Sequence, residues 1–321
     1  MSANDSAVST PVPMPDIVGY RLRRVLGRGG MSTVYLGEQV SLGRQVAIKV
    51  MLPEALADEV SRKRFENEAR TIARLEHPHI VGIHDVGRTR DGLPYYAMPH
   101  LPRGHLGQRL VDAQGATMDT ARAREILRAL LSALGYAHAR GTIHRDVKAE
   151  NVLFDEAGRP LLADFGIALR RGHGTRVTTA GLAVGSTAYM PPEQARGEDV
   201  DPRADLYSVG VLAWEMLTGT LPYNSSDALS MAVMHIKDPI PRLPSRLRHW
   251  QRFIDRALGK YPGKRYRDAA QMLEALDAIP QRSGGRRFAA LRALRASAGK
   301  LRRLPTAAWI GAALTIAALL G

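Results

Sequence analysis

The hydrophobic pattern of the chain changes character once, near residue 100, and that change limits the architectures open to it. Before it, Tyr20 to Val25, Thr33 to Gln39 and Gln45 to Val50 read as three short strands, with two more near Ile80 to Val86 and Tyr95 to Met98. One helical period interrupts them: in RKRFENEARTIARLEHP, Phe65, Ala69, Ile72, Ala73 and Leu75 recur ahead of His77-Pro78. After it, TARAREILRALLSALGYAHARG is a long amphipathic helix ending at Gly141, and ADLYSVGVLAWEMLTG is a helix apolar enough to be buried on most sides. Weaker helical patterns follow at Asp227 to Ile236, Leu247 to Leu258 and Asp268 to Asp277. A small strand-rich part followed by a larger helical part predicts an α+β fold of two lobes with a cleft between them.

Composition narrows the chemistry. The 321 residues hold no cysteine, which excludes a disulfide framework, a thiolate metal site and a cysteine nucleophile. The formal net charge is +14, but eight of those charges sit between Gln281 and Arg303, where Arg282, Arg286, Arg287, Arg292, Arg295, Lys300, Arg302 and Arg303 meet no acidic residue. The basic character is therefore a local device. It lacks interleaved aromatics apart from Phe288, which argues against nucleic acid as a partner. The first 16 residues, rich in Ser, Pro, Ala and Val, read as a disordered leader without a signal peptide.

Three local patterns carry candidate chemistry. LGRGGMSTVYLG places Gly27, Gly29, Ser32 and Val34 in a turn between two strands, so neither a dinucleotide fold nor a P-loop fits, since both set their glycines before a helix. Such a turn can fold over a triphosphate through backbone N–H groups, or be a plain glycine-rich hairpin. VAIKV sets Lys49 among apolar neighbours, where a charge needs a partner or a ligand; Glu68 on the following helix is one candidate, and an exposed solubility lysine is the bland alternative. In HRDVKAEN, Asp146 can accept the proton of an attacking hydroxyl, Lys148 can neutralise a transferred phosphoryl group, and Asn151 with Asp164 of ADFG offers the hard oxygen ligands that Mg²⁺ prefers. A polar loop would not demand these residues together, in this order.

Taken jointly, Gly27, Lys49, Glu68, Asp146, Lys148, Asn151 and Asp164-Phe165-Gly166 resemble the motif set of a eukaryotic-type (Hanks-type) Ser/Thr protein kinase, specifically the bacterial membrane-anchored branch. Pro192-Glu193 of YMPPEQARG, Asp205 at the start of the apolar helix and Arg265 of YPGKRY extend the likeness over roughly Tyr20 to Ile279. The resemblance implies a bilobal kinase fold over 17–279, with the small lobe to about residue 100. It implies that Gly27, Arg28, Gly29, Gly30, Ser32, Val34, Ala47, Lys49, Met98 and Leu101 bind ATP, with Met98 as gatekeeper and Leu101 at the hinge. Glu68 would hold Lys49, Asp146 would be the catalytic base beside Lys148, and Asn151 and Asp164 would bind Mg²⁺, or Mn²⁺ in its place. Lys148 favours Ser or Thr as acceptor. Ser32 in place of the third loop glycine, Pro99-His100 at the hinge and Pro191 depart from the usual pattern without removing a catalytic group.

The resemblance also implies regulation. Arg145 would meet a phosphate on the activation segment, where Thr178 and Thr179 are the expected autophosphorylation sites. Thr306 to Gly321 carries no charge and would span roughly 24 Å as a helix, against a hydrocarbon core of about 30 Å. With the basic juxtamembrane flank at 280–305 it reads as a transmembrane helix, with the kinase domain facing the cytoplasm at a bacterial inner membrane; an interfacial helix with Phe288, Leu291, Leu294 and Leu301 on anionic lipid, and a helix packed on the kinase lobe, are the other readings. Protein substrates bearing Ser or Thr and a homodimer are the other partners expected. Two rivals stand beside the enzyme: a membrane-anchored, nucleotide-binding pseudokinase scaffold, and a small-molecule kinase of related fold.

Overall fold

Alternation along the strands builds the first layer. In the computed structural model, which describes residues 14–30, 32–53, 69–112, 117–165 and 187–280, β1 (Tyr20–Arg28), β2 (Ser32–Gln39), β3 (Arg44–Met51), β4 (Asp85–Arg88) and β5 (Pro94–Pro99) form an antiparallel sheet in the order β1-β2-β3-β5-β4. Successive side chains point to opposite faces of a strand. Val46, Ile48 and Val50 of β3 therefore join Tyr35, Tyr95, Ala97 and Ile17 on one face. Ala47 and Met51 join Tyr96, Met98 and Val34 on the other. Lys49 shares that second face, opposite Val34 on β2 and Tyr96 on β5.

Two sequence expectations shift here. The fourth strand starts at Asp85 rather than Ile80, because Val81 N–H donates to the carbonyl of Leu162 at 2.9 Å and Ile80 bridges the same residue. Those backbone groups tie the sheet to the helical lobe instead of extending the strand. Asp16, assigned to the disordered leader, is paired with Arg90 at 3.0 Å, and its carbonyl accepts Arg90 N–H at 2.9 Å.

The helical lobe contains α1 (Leu106–Asp112), α2 (Thr120–His138), the hairpin of β6 (Val152–Phe154) and β7 (Pro160–Leu162), then α3 (Pro192–Arg196), α4 (Arg203–Thr218), α5 (Ala228–Lys237), α6 (Gln251–Ala257) and α7 (Ala269–Asp277). The predicted helix from Leu247 to Leu258 is instead a 3₁₀ segment, Ser245–Trp250, followed by α6; after Pro244, Leu247 N–H closes a tighter turn onto the Pro244 carbonyl at 2.7 Å. Ile126, Leu127, Leu130, Leu131 and Leu134 of α2 pack against Leu206, Val209, Leu212 and Met216 of α4. Each such fully buried side chain stabilises the fold by about 1.5–3 kcal/mol.

Helix α4 is buried on nearly every side, and its Gly210 lies so near α6 that a Cβ there would meet Ala257 Cβ at 2.6 Å. It ends at Gly219, whose φ of 78° is the left-handed conformation that glycine adopts without penalty. Asp227 and Asp268 cap α5 and α7 by accepting Ser230 N–H and Gln271 N–H, each at 2.7 Å. The buried Arg124 donates to the carbonyls of Leu276 and Ile279, satisfying the open end of α7. Among the described residues no helix is long and apolar enough to cross a membrane, and Thr306 to Gly321 lies outside them.

Candidate active site

The loop that carries Asp146 is held from below by one buried carboxylate. Asp205, in the first turn of α4, accepts His144 N–H at 2.8 Å, Arg145 N–H at 2.7 Å and a hydrogen bond from the His138 ring at 2.7 Å. Arg145 has a φ of 66°, a conformation that costs a non-glycine residue about 1–2 kcal/mol and that these bonds sustain. His144 is fully buried, its ring bonded to the Ala163 carbonyl at 2.9 Å and packed on Phe165 with centroids 4.5 Å apart. That burial lowers its pKa despite the nearby carboxylates.

On this base the polar side chains converge. Asp146 Oδ2 accepts Lys148 Nζ at 2.7 Å, and Asn151 Nδ2 donates to the Asp146 carbonyl at 2.7 Å and to Oδ2 at 3.1 Å. With its nitrogen engaged, Asn151 keeps its amide oxygen as an acceptor. Ala163 N–H donates to the Asn151 carbonyl at 2.8 Å, which ties the residue before Asp164 to the Asp146 loop. Asp164 itself has a φ of 57°.

Asp164 also closes the site onto the sheet. Its Oδ2 lies 2.9 Å from Lys49 Nζ, and its Oδ1 accepts the Tyr96 hydroxyl at 2.6 Å. Burial on its own would raise the carboxyl; the Lys49 charge and the two donors outweigh it and hold Asp164 below the usual carboxylate range. Burial, reinforced by Asp164, pushes the Tyr96 phenol well above the ordinary tyrosine value, so it stays a donor.

On β1 and β2, Gly27 and Arg28 pair with Val34 and Thr33, and Gly29 N–H donates to the Ser32 carbonyl at 2.8 Å. Val34, Ala47, Met98 and Leu101 share one apolar cluster with Leu153 from β6, so two lobes contribute to the wall of the cleft. A smaller cavity of about 10 Å³ lies behind Met98, lined by Ile72, Val81, Ile83, Tyr96, Asp164 and Phe165. A larger one of about 430 Å³ is lined by His105, Gln108, Leu110, Val111, Glu150 and Glu215. Glu150 belongs to the Asp146 loop, and Glu215 accepts the Tyr189 hydroxyl at 2.5 Å.

Below, Glu193 and Arg265 form a bidentate pair at 2.6 and 2.7 Å, both buried. Arg265 also donates to the Gly259 and Arg203 carbonyls at 2.7 and 3.1 Å.

Lys49 and Asp164, 115 residues apart, thus form an ion pair, and Asp146, Lys148 and Asn151 form a hydrogen-bonded group joined to it through the Ala163 N–H. Glu68, Gly166, Thr178 and Thr179 lie outside the described residues. Sequence reasoning missed Tyr96 and Leu153. Tyr96 was legible only through alternation, two residues before Met98 on the same strand face; Leu153 needed the β6 hairpin, which had not been anticipated.

A family model described as protein kinase domain matches residues 20–276. The serine/threonine-protein kinase PknA of Mycobacterium tuberculosis is 37% identical over 264 residues, which cover 81% of this chain and 61% of PknA. PknB of Mycobacterium leprae is 38% identical over 275 residues, 83% of this chain and 43% of PknB. The chain thus spans about three fifths of the first relative and less than half of the second. The crystal structure of the PknI kinase domain of Mycobacterium tuberculosis superposes with a TM-score of 0.66 at 30% identity, covering 84% of this chain and all of that one. With the motifs, the sheet-over-helix architecture and a family match over most of its length in agreement, the chain belongs to the protein kinase domain family.

Proposed function

We propose that the chain transfers the γ-phosphoryl group of ATP to Ser and Thr hydroxyls of proteins, its own activation segment included. The observation that carries this reading is the convergence of two groups, the Lys49–Asp164 ion pair and the hydrogen-bonded Asp146, Lys148 and Asn151, joined by the Ala163–Asn151 backbone bond beside an apolar cluster. Val34, Ala47, Met98, Leu101 and Leu153 suit a flat purine. Lys49 is the cation for the α- and β-phosphates. Asp146 accepts the proton of the incoming hydroxyl, and Lys148, already paired with that carboxylate, faces the charge that develops on the transferred group.

The donor set fits Mg²⁺, or Mn²⁺ in its place. Asp164 supplies a carboxylate and Asn151 an uncommitted amide oxygen, a hard pair that leaves positions for phosphate oxygens and water. When bound, the cation neutralises the triphosphate and orients its terminal phosphoryl group. The protein-substrate reading draws support from the cavity beside the Asp146 loop, where the exposed Glu150 suits a basic side chain of a peptide.

Transfer from γ-labelled ATP, with the Asp146→Asn chain as control, tests the reading. Label on Ser or Thr of the wild type alone supports it. A wild type that binds ATP yet labels neither itself nor a generic acceptor protein returns the reading to a nucleotide-binding scaffold.

The basic stretch at 280–305 and the uncharged run behind it support attachment to anionic lipid at the cytoplasmic face of a bacterial inner membrane. Deleting Thr306 to Gly321 should move the chain from the membrane fraction to the soluble one; unchanged partitioning counts against that run as the anchor. A homodimer remains the expectation drawn from the resemblance, and sedimentation tests it.

A further inference from the structure

Tyr96 occupies a wall that asks for an aliphatic residue. Around it stand Ile72, Val81, Ile83, Met98 and Phe165, all apolar. A hydroxyl buried among such neighbours is unfavourable unless it is hydrogen-bonded. Its bond runs to Oδ1 of Asp164, at 2.6 Å. The ring is almost wholly buried, while the carboxylate it reaches is partly open to the cleft.

The second donor to that carboxylate comes from the strand next door. Lys49 on β3 and Tyr96 on β5 are register partners, so one antiparallel ladder presents the ammonium to Oδ2 and the phenol to Oδ1. Side chains directly opposite on neighbouring strands share a face and interact. The two donors hold the carboxylate at both oxygens. In the kinase reading Lys49 turns to the phosphates once a nucleotide binds, and its hold on Oδ2 is shared or lost. The Tyr96 hydroxyl, carried by a buried ring, is the donor to Oδ1.

A carboxylate offers about four lone-pair sites, so one phenol on Oδ1 leaves Oδ2 open to a cation. The backbone of Asp164 is already fixed, by its left-handed φ and by the Ala163–Asn151 bond before it. What remains free is rotation of the carboxylate, and the phenol removes it.

We propose that Tyr96 is a positioning residue of the phosphoryl-transfer site: its hydroxyl sets the orientation in which Asp164 meets the divalent cation that accompanies ATP. This rests on the metal and nucleotide assignment made above. A catalytic group held by neighbouring hydrogen bonds binds its metal more tightly than one left to rotate.

The test uses the full chain, with Tyr96→Phe as the variant, since it deletes one oxygen and keeps the ring. ATP binding is measured by calorimetry in EDTA and then across a Mg²⁺ titration, with the melting temperature recorded in EDTA. In the wild type Mg²⁺ tightens ATP binding. In Tyr96→Phe the Mg²⁺ concentration at half-effect should rise about tenfold, the scale of one hydrogen bond to a charged group. ATP affinity in EDTA should stay within about twofold. The rate of transfer should recover at high Mg²⁺, with the KM for the acceptor protein unchanged. Tyr96→Leu, which keeps an apolar side chain in the same wall, should show the same shift in Mg²⁺ dependence, and it serves alone if the Phe variant does not fold.

A merely structural role would lower the melting temperature and ATP affinity in EDTA while leaving the Mg²⁺ titration where it was, and that outcome overturns the proposal. A variant that binds Mg²⁺ more tightly overturns it as well, since the hydroxyl would then be competing with the cation. A wild type whose ATP affinity ignores Mg²⁺ overturns the metal assignment, and the role of Tyr96 with it. Normal Mg²⁺ dependence in both wild type and variant removes the role of Tyr96 alone.

Discussion

Asp205, in the first turn of a buried helix, accepts the backbone N–H of Arg145 at 2.7 Å and so fixes the residue immediately before Asp146. The acceptor is 1% exposed and takes three donors in all. Asp205→Asn keeps one oxygen and turns an NH₂ group towards an N–H, leaving a donor unsatisfied at a cost of about 1–3 kcal/mol. The loop then loses its register beneath the acceptor hydroxyl. Steady-state kinetics should show kcat down by about 10²-fold with the KM for ATP changed far less. A variant with near-normal kcat would mean that the loop holds its shape without Asp205.

Glu193 and Arg265 are a pair whose separation costs more than its replacement. Both side chains are at most 2% exposed. Removing either partner leaves an uncompensated buried charge, so Glu193→Ala and Arg265→Ala should each lower the unfolding free energy by about 3–5 kcal/mol. The double variant should lose less than the sum, because the second change removes the charge the first one stranded. Urea unfolding of the four proteins measures the cycle, and strict additivity would contradict the pairing.

Close packing at Gly210 makes a small addition harmful. A Cβ at that position meets Ala257 at 2.6 Å, and both helices are anchored along their length. Although alanine favours helix over glycine by about 1 kcal/mol, Gly210→Ala should destabilise by about 1–3 kcal/mol through overpacking. A raised melting temperature would show that α6 can move aside.

Acid should weaken the fold through its buried histidines. Burial, with the nearby Lys260 charge, lowers His235 from 6.5 to about 4; its ring is bonded to the Tyr207 hydroxyl at 2.8 Å and packs edge-on to Tyr223. Between those values the unfolded chain takes up a proton that the folded chain refuses, so stability falls as pH drops from about 6.5 to about 4, by about 3 kcal/mol in total from this group. The lowered pKa values of His77, His84, His100 and His144 act with the same sign. Asp155 and Asp201, whose pKa values are also lowered, lose their contribution only at lower pH. Melting temperatures across this range should show the decline, and His235→Asn should flatten part of it. Lys260, lowered to about 8, acts on the alkaline side: stability should rise as pH increases from about 8 towards 10.5.

The residue types of the site and the split into a strand lobe and a helical lobe were legible in the sequence, because periodicity and motif spacing are properties of the chain itself. Asp146, Lys148 and Asn151 fall within six residues, so a short loop was enough to bring them together. Tertiary structure decided what spacing cannot encode. Strand register placed Tyr96 opposite Lys49 and gave Asp164 its second donor. The pairing of Ile80 and Val81 with Leu162 moved the start of the fourth strand to Asp85. Packing of α4 against the Asp146 loop turned Asp205, which in sequence only opens an apolar helix, into the acceptor that holds Arg145 in a left-handed conformation. A sequence carries the period of its elements. Which donor meets which acceptor across elements depends on register and burial, and those exist only once the chain has folded.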